Sequence, residues 1–227
     1  MPAAGQQEDL KVLSHWFDKK EESVPPASLP GLYGPKIPRH SGGWATLRRR
    51  LNTKSTLQVM DIGYTSPANI QYLTGLGHSV FLTDLVRDAC CGKWQTVGED
   101  GKPVWNVEGF LEQSLDFAGR KFDIVLLWTT LDYLPEAFVA PVVTRLYEAT
   151  NPDGVLLAFF HSQITGEETV HCRYHITPGE EVEVQLAQQF PIQRAFSNRR
   201  IERLFAAWSG YRQFLAKDGV SEVIISR

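Results

Sequence analysis

Cysteine, methionine and long apolar runs are all scarce in this chain. Its three cysteines, Cys90, Cys91 and Cys172, are odd in number and two are adjacent, which excludes a disulfide framework and fits reduced thiols in a cytoplasmic setting. No stretch approaches the roughly 18 consecutive apolar residues of a membrane-spanning helix, and the opening residues, Met1 to Asp9, lack the basic-then-apolar order of a secretion signal. An excess of one charge is missing too. The 23 Lys and Arg residues against 26 Asp and Glu leave a formal charge of −3, without the broad basic footprint of a nucleic-acid binder. The one dense positive run, Arg48-Arg49-Arg50, closes a helical stretch, where cations suit the helix dipole and the solvent. No internal repeat or low-complexity tract interrupts the pattern.

What remains is an ordinary globular composition, 43% hydrophobic and 22% charged over 227 residues, enough for one α/β domain with an N-terminal extension. Leu10, Leu13, Trp16 and Phe17 recur at helix spacing within residues 8–22. A strap over residues 24–43 follows. Its five prolines argue against a regular element, while Leu29, Leu32, Tyr33 and Ile37 make it apolar enough to pack on the domain. Trp44 to Leu51 reads as a helix. This extension, residues 1–52, precedes a domain over 53–227. Strands are expected over 57–62, 79–83, 122–128 and 155–160, with helices over 67–75 and 136–149. Val104 to Val107 is a candidate short strand, and residues 162–195 read as an insertion. Ser197 is placed to cap a helix running to Trp208, and Tyr211–Leu215 with Val220–Ser226 form a closing hairpin turned by Asp218-Gly219. The alternation implies a mostly parallel sheet covered by helices on both faces.

The most informative stretch is Leu57 to Asn69. An apolar run ends in Asp61-Ile62-Gly63, and Ser66 and Pro67 then suit the N-cap and first position of a helix. About 20 residues on, Ser79 to Thr83 ends in Asp84. Such a layout makes a nucleoside pocket: a βα turn for an anionic group and an acid for the ribose hydroxyls. Asp84 would equally serve as a helix cap. Glycines are short here as well. The turn reads Gly63-Tyr64-Thr65-Ser66-Pro67, with Thr65 and Pro67 where small residues would let a ligand reach the backbone.

Taken together, these motifs resemble the class I S-adenosylmethionine-dependent methyltransferases. The first motif begins at Asp61-x-Gly63 and the second-strand acid is Asp84. Leu115 to Val125 is similar to the family's run before strand four, and Leu146 to Leu156 to its turn before strand five. The resemblance covers about 57–161 and 197–227. It implies a three-layer Rossmann-like fold with seven strands ordered 3-2-1-4-5-7-6, the seventh antiparallel. It implies S-adenosylmethionine held by Asp61, Gly63, Tyr64 and Ser66 at the first turn, by Asp84 and Leu85 at the ribose, and by Trp128 and Thr129 near the sulfonium. A residue within Phe110–Ser114 would flank the adenine. Asp132, Tyr133 and His161 are the candidate catalytic groups, since an oxygen or nitrogen nucleophile needs a nearby base. The methyl acceptor is expected to be a small molecule, without nucleic acid or membrane.

His171 and His175 are four apart, but the sequence around them suggests strand or loop, and no third ligand follows, so no metal site is expected. Cys90 and Cys91 read as small buried residues. Two rival functions remain open: a non-catalytic methyltransferase-like scaffold that has lost its cofactor, and a nicotinamide-dependent oxidoreductase, for which Gly63 to Ala68 lacks the required glycines.

Overall fold

A computed structural model describes residues 33–52, 55–90, 93–164, 170–215 and 218–227. The helix expected over 8–22, the start of the strap, and Cys91 lie outside the described residues. In chain order the elements are β1 (Tyr33–His40), α1 (Gly42–Leu51), β2 (Gln58–Ile62), α2 (Pro67–Gly75), β3 (Ser79–Thr83), α3 (Leu85–Cys90), β4 (Gln95–Val97), β5 (Pro103–Trp105) and α4 (Val107–Ser114). They continue with β6 (Phe122–Trp128), α5 (Thr130–Tyr133), α6 (Glu136–Ala149), β7 (Thr150–His161), β8 (Val170–Ile176), β9 (Glu181–Gln189), α7 (Asn198–Leu204), β10 (Gly210–Phe214) and β11 (Val220–Ser226).

The central sheet runs β10-β11-β7-β6-β2-β3. Strands β3, β2, β6 and β7 are parallel, and β11 lies antiparallel between β7 and β10. It has six strands where seven were expected. The missing member is the one after α3. There β4 and β5 pair only with each other, Gly98 donating to the Lys102 carbonyl at 2.8 Å to close the turn. Pro103 opens β5 without an N–H, which suits a short isolated strand. Trp105 instead packs edge-on against Phe138 of α6, 5.1 Å between ring centres.

Side chains along the central strands alternate between two cores, as strand geometry requires. Met60, Ile62, Val125, Leu127, Leu156 and Phe160 face one side, beneath α4, α6 and α7. Val59, Ile124, Leu126, Leu157 and Phe159 face the other, with Trp44 and Leu47 of α1 and Leu73 of α2. Helix α1 starts where Ser41 Oγ accepts from the Trp44 N–H at 3.0 Å, and α2 where Ser66 Oγ accepts from Asn69 at 3.2 Å. Ser197 sits at the N-cap of α7 without a side-chain bond, and that helix ends at Leu204 rather than near Trp208. Cys90, expected buried, is exposed at the end of α3.

The insertion and the strap make a second sheet, β1-β9-β8, antiparallel throughout. The strap was expected to hold no regular element, yet β1 includes Pro35 and Pro38. Its place at the sheet edge accounts for this, since an edge strand tolerates missing donors. Arg39 of β1 ties the second sheet to the closing hairpin through ion pairs with Asp218 in the turn and Glu222 on β11. Glu222 also accepts from Ser41 Oγ at 2.8 Å and the Gly43 N–H at 2.7 Å, so the buried carboxylate is fully engaged.

Candidate functional site

The βα turn after β2, the tip of β6 and the strand β8 meet at the carboxyl rim of the central sheet. Asp61, at 4% exposure, is bound on both oxygens. The Trp128 indole N–H donates to Oδ1 at 2.7 Å and the Asn69 amide to Oδ2 at 2.8 Å. Burial pushes the Asp61 carboxyl up from its usual range, and these two bonds oppose that shift.

Trp128 occupies the space between the first turn and β8. A Cβ placed on Gly63 would sit 3.1 Å from the indole Cδ1. One face of the indole stacks on Tyr174, ring centres 5.0 Å apart and planes 5° from parallel. Trp128 adopts φ 47°, a left-handed conformation that a bulky residue reaches only at a cost. The Tyr174 stack, the edge-on Phe159 ring and the bonded nitrogen hold it there. Asn69 completes the closure. Its amide donates to the Tyr174 carbonyl at 3.0 Å, and its Oδ1 accepts from the Ile176 N–H at 2.8 Å. Beside it, Ser66 Oγ and His175 Nδ1 lie 2.8 Å apart, and His175 Nε2 lies 3.1 Å from Gln185 Oε1.

The sequence resemblance calls for S-adenosylmethionine at this rim. As the side chains stand, the amino-acid half of that cofactor does not fit. The Trp128 indole edge blocks the side of Gly63 where a Cβ would point, both Asp61 oxygens already accept a bond from the protein, and Pro67 offers no N–H at the helix start. On the nucleoside side, Asp84 follows β3 and its Oδ1 accepts from the Arg87 N–H at 3.1 Å, the cap arrangement. Burial raises the Asp84 carboxyl, partly opposed by that bond. Leu85 is fully buried in the core, and Thr129 is buried at the start of α5. Tyr64 lies half-buried under the Arg173 guanidinium, 4.2 Å from the ring centre.

Asp132, Tyr133 and His161 are brought together. The Asp132 carboxylate is fully buried, and Oδ2 accepts from both the backbone N–H of His161 at 2.8 Å and its Nδ1 at 2.6 Å. Its Oδ1 is buried without a partner. Burial raises the Asp132 carboxyl, and the His161 bonds pull the other way. The Tyr133 ring meets His161 and His171 edge-on, centres 6.2 and 4.9 Å away. This pairing leaves His161 Nε2 as the ring nitrogen able to take or give a proton.

His171 and His175 do not converge. His171 sits beneath Tyr133, while His175 binds Ser66 and Gln185. No group of three or more His, Cys, Asp or Glu residues placed to hold a metal occurs among the described residues, and no helix there is long and apolar enough to cross a membrane. Sequence reading missed Asn69 and Arg173. Asn69 had one signal, a polar residue on the inward face of a capped helix, eight positions after Asp61. A cavity of about 680 Å³ lies away from the rim, between Val139 and Ala140 of α6 and Arg199, Arg200 and Arg203 of α7.

No family model matches the chain, and no curated protein does. Solved structures do resemble it. The methyltransferase CcbJ from Streptomyces caelestis aligns at 13% identity and TM-score 0.48, over 81% of this chain and 94% of its own. TehB from Haemophilus influenzae aligns at 14% and 0.46, over 82% of this chain; the chain spans 62% of TehB. CalS10 from Micromonospora echinaspora, an amino pentose methyltransferase with S-adenosylmethionine bound, aligns at 13% and 0.40, over 81% and 89%. At that distance the likeness does not extend to activity, and the strand order rests on the pairings given above.

Proposed function

We propose that this chain is a methyltransferase-like binding or scaffold protein whose cofactor cleft has been converted into core. The observation that carries this reading is the Trp128 indole, wedged between Gly63 and Tyr174 and bonded to Asp61. An open cofactor site keeps glycine-lined space at this turn. Here the space is packed, hydrogen-bonded and roofed by β8, and the departures from the glycine pattern at Thr65 and Pro67 agree with it. Calorimetry with S-adenosylmethionine and S-adenosylhomocysteine on the folded protein tests it. Absence of heat with both up to millimolar concentration is the expected result. Saturable binding of either in the micromolar range overturns the proposal.

A second reading is favoured by the Asp132–His161 pair at the same rim. On that reading the chain is an S-adenosylmethionine-dependent methyltransferase of a small molecule, with Asp84 and Leu85 at the ribose and His161, oriented by Asp132, as the base. It requires Trp128 to leave its place. A Trp128→Ala variant that binds S-adenosylmethionine no better than the parent counts against it.

A further inference from the structure

Two arginines of the second sheet are buried to the same degree, Arg39 at 7% exposure and Arg173 at 8%. Their surroundings differ. Arg39 is met by the carboxylates of Asp218 and Glu222. Arg173 has no carboxylate within ion-pair distance among the described residues, and its Nε is buried without a hydrogen-bond partner. Glu183, the nearer of the two acids on that face of the adjoining strand, pairs with Lys36 at 3.2 Å. What Arg173 does have is the Tyr64 ring, 4.2 Å beneath its guanidinium. A ring face offers a cation only part of what a carboxylate offers. Burial draws the Arg173 guanidinium down from its ordinary range, with Tyr64 opposing.

A guanidinium with a buried, unbonded Nε and no carboxylate beside it is left short of counter-charge, and native proteins meet such a group with an acceptor from elsewhere. The position is also specific. Tyr64 belongs to the turn between β2 and α2, so the cation is stacked on the rim of the central sheet rather than spread over the surface. A guanidinium presents paired N–H groups in a rigid fork, matched to the two oxygens of a carboxylate or phosphate. We propose that Arg173, stacked on Tyr64, is the anchor of a binding site for the carboxylate or phosphate group of a small ligand.

The test is thermal unfolding at constant ionic strength, chloride being replaced stepwise by phosphate, sulfate, acetate or succinate, on the parent chain, Arg173→Met and Arg173→Lys. The parent midpoint is expected to rise saturably with at least one of the four oxyanions. Arg173→Met should show no such rise. It should also unfold, without added anion, close to the parent, because what it gives up at Tyr64 is offset by removing a charge that no carboxylate meets. Arg173→Lys, which keeps the charge and loses the fork, should respond at several-fold higher anion concentration. Arg199→Met, on exposed α7, should respond like the parent. A larger response to phosphate and sulfate identifies a phosphoryl group as the natural ligand, and a larger response to acetate and succinate a carboxylate. A parent chain indifferent to all four, or an Arg173→Met variant that keeps the full rise, overturns the proposal. Failure here leaves the S-adenosylmethionine titration untouched, and the reverse holds too.

Discussion

Ser66 and His175 hold each other at 2.8 Å across 109 positions of chain. The tautomer follows from the neighbours. Gln185 donates its amide N–H to the Gly34 carbonyl at 3.1 Å, so its Oε1 is the atom facing His175 Nε2. Nε2 therefore carries the proton, and Nδ1 accepts from the Ser66 hydroxyl. The Ser66 oxygen in turn accepts from Asn69. The arrangement is complete with a neutral ring, and burial lowers the basicity of His175 accordingly.

His171 gives the clearest pH prediction. Burial pulls its pKa from 6.5 down to about 4. Between those values the unfolded chain binds a proton that the native chain does not. Stability is therefore whole above pH 6.5, falls as the pH drops toward 4, and loses no more from this group below that. The loss is about 3 kcal/mol. Unfolding free energies from urea titrations, compared from pH 7 to 4, should show the parent losing that amount relative to His171→Phe. Parallel curves would show that His171 stays unprotonated in both states or in neither.

Asn69→Ala removes three buried bonds, to Asp61, to the Tyr174 carbonyl and from the Ile176 N–H. The expected loss is on the order of 3 kcal/mol, since each orphaned group costs about 1 kcal/mol or more. Denaturant unfolding measures it, and a loss under 1 kcal/mol would show that water replaces the amide.

Gly63→Ala brings a methyl group to 3.1 Å from the Trp128 indole. It should cost about 1–2 kcal/mol in the parent by overpacking. In a Trp128→Ala background the same change should cost almost nothing, although Trp128→Ala itself should lose about 3–5 kcal/mol. Equal costs in the two backgrounds would place the strain at Gly63 somewhere other than the indole.

Glu222→Leu leaves the Arg39 guanidinium, the Ser41 hydroxyl and the Gly43 N–H without their shared acceptor. Breaking one partner of a buried ion pair typically costs about 3–5 kcal/mol. A thermal midpoint close to the parent's would mean that Asp218 alone satisfies Arg39.

Where the chain alternates apolar runs with Gly, Pro and capping residues, its elements can be read almost to the residue. Pro67–Gly75, Ser79–Thr83 and Glu136–Ala149 stand where expected, because cap and period agree there. The closing hairpin is also legible from Asp218-Gly219. Strand β1 is not, because prolines that forbid a central strand permit an edge one, and nothing local says which the segment will be. The absent third strand is hidden for the same kind of reason: Gln95 to Trp105 pairs with itself or with β3 according to tertiary context. At the rim, Asp61, Gly63 and Asp84 are placed at the strand tips by spacing alone. What fills the space between them depends on Trp128, Asn69 and Tyr174, which are distant in sequence.

Asn69 and Trp128 stitch the second sheet to the first, and that has a kinetic meaning. A covering arm that merely rested on its sheet would lift in local fluctuations, and its amides would trade hydrogen for deuterium well before the rest. Here lifting β8 strands the Asn69 amide and uncovers an indole at once, so the least costly opening is nearly that of the whole domain. The backbone amides of Arg173, His175 and Ile176 should then exchange as slowly as those of β2 and β6.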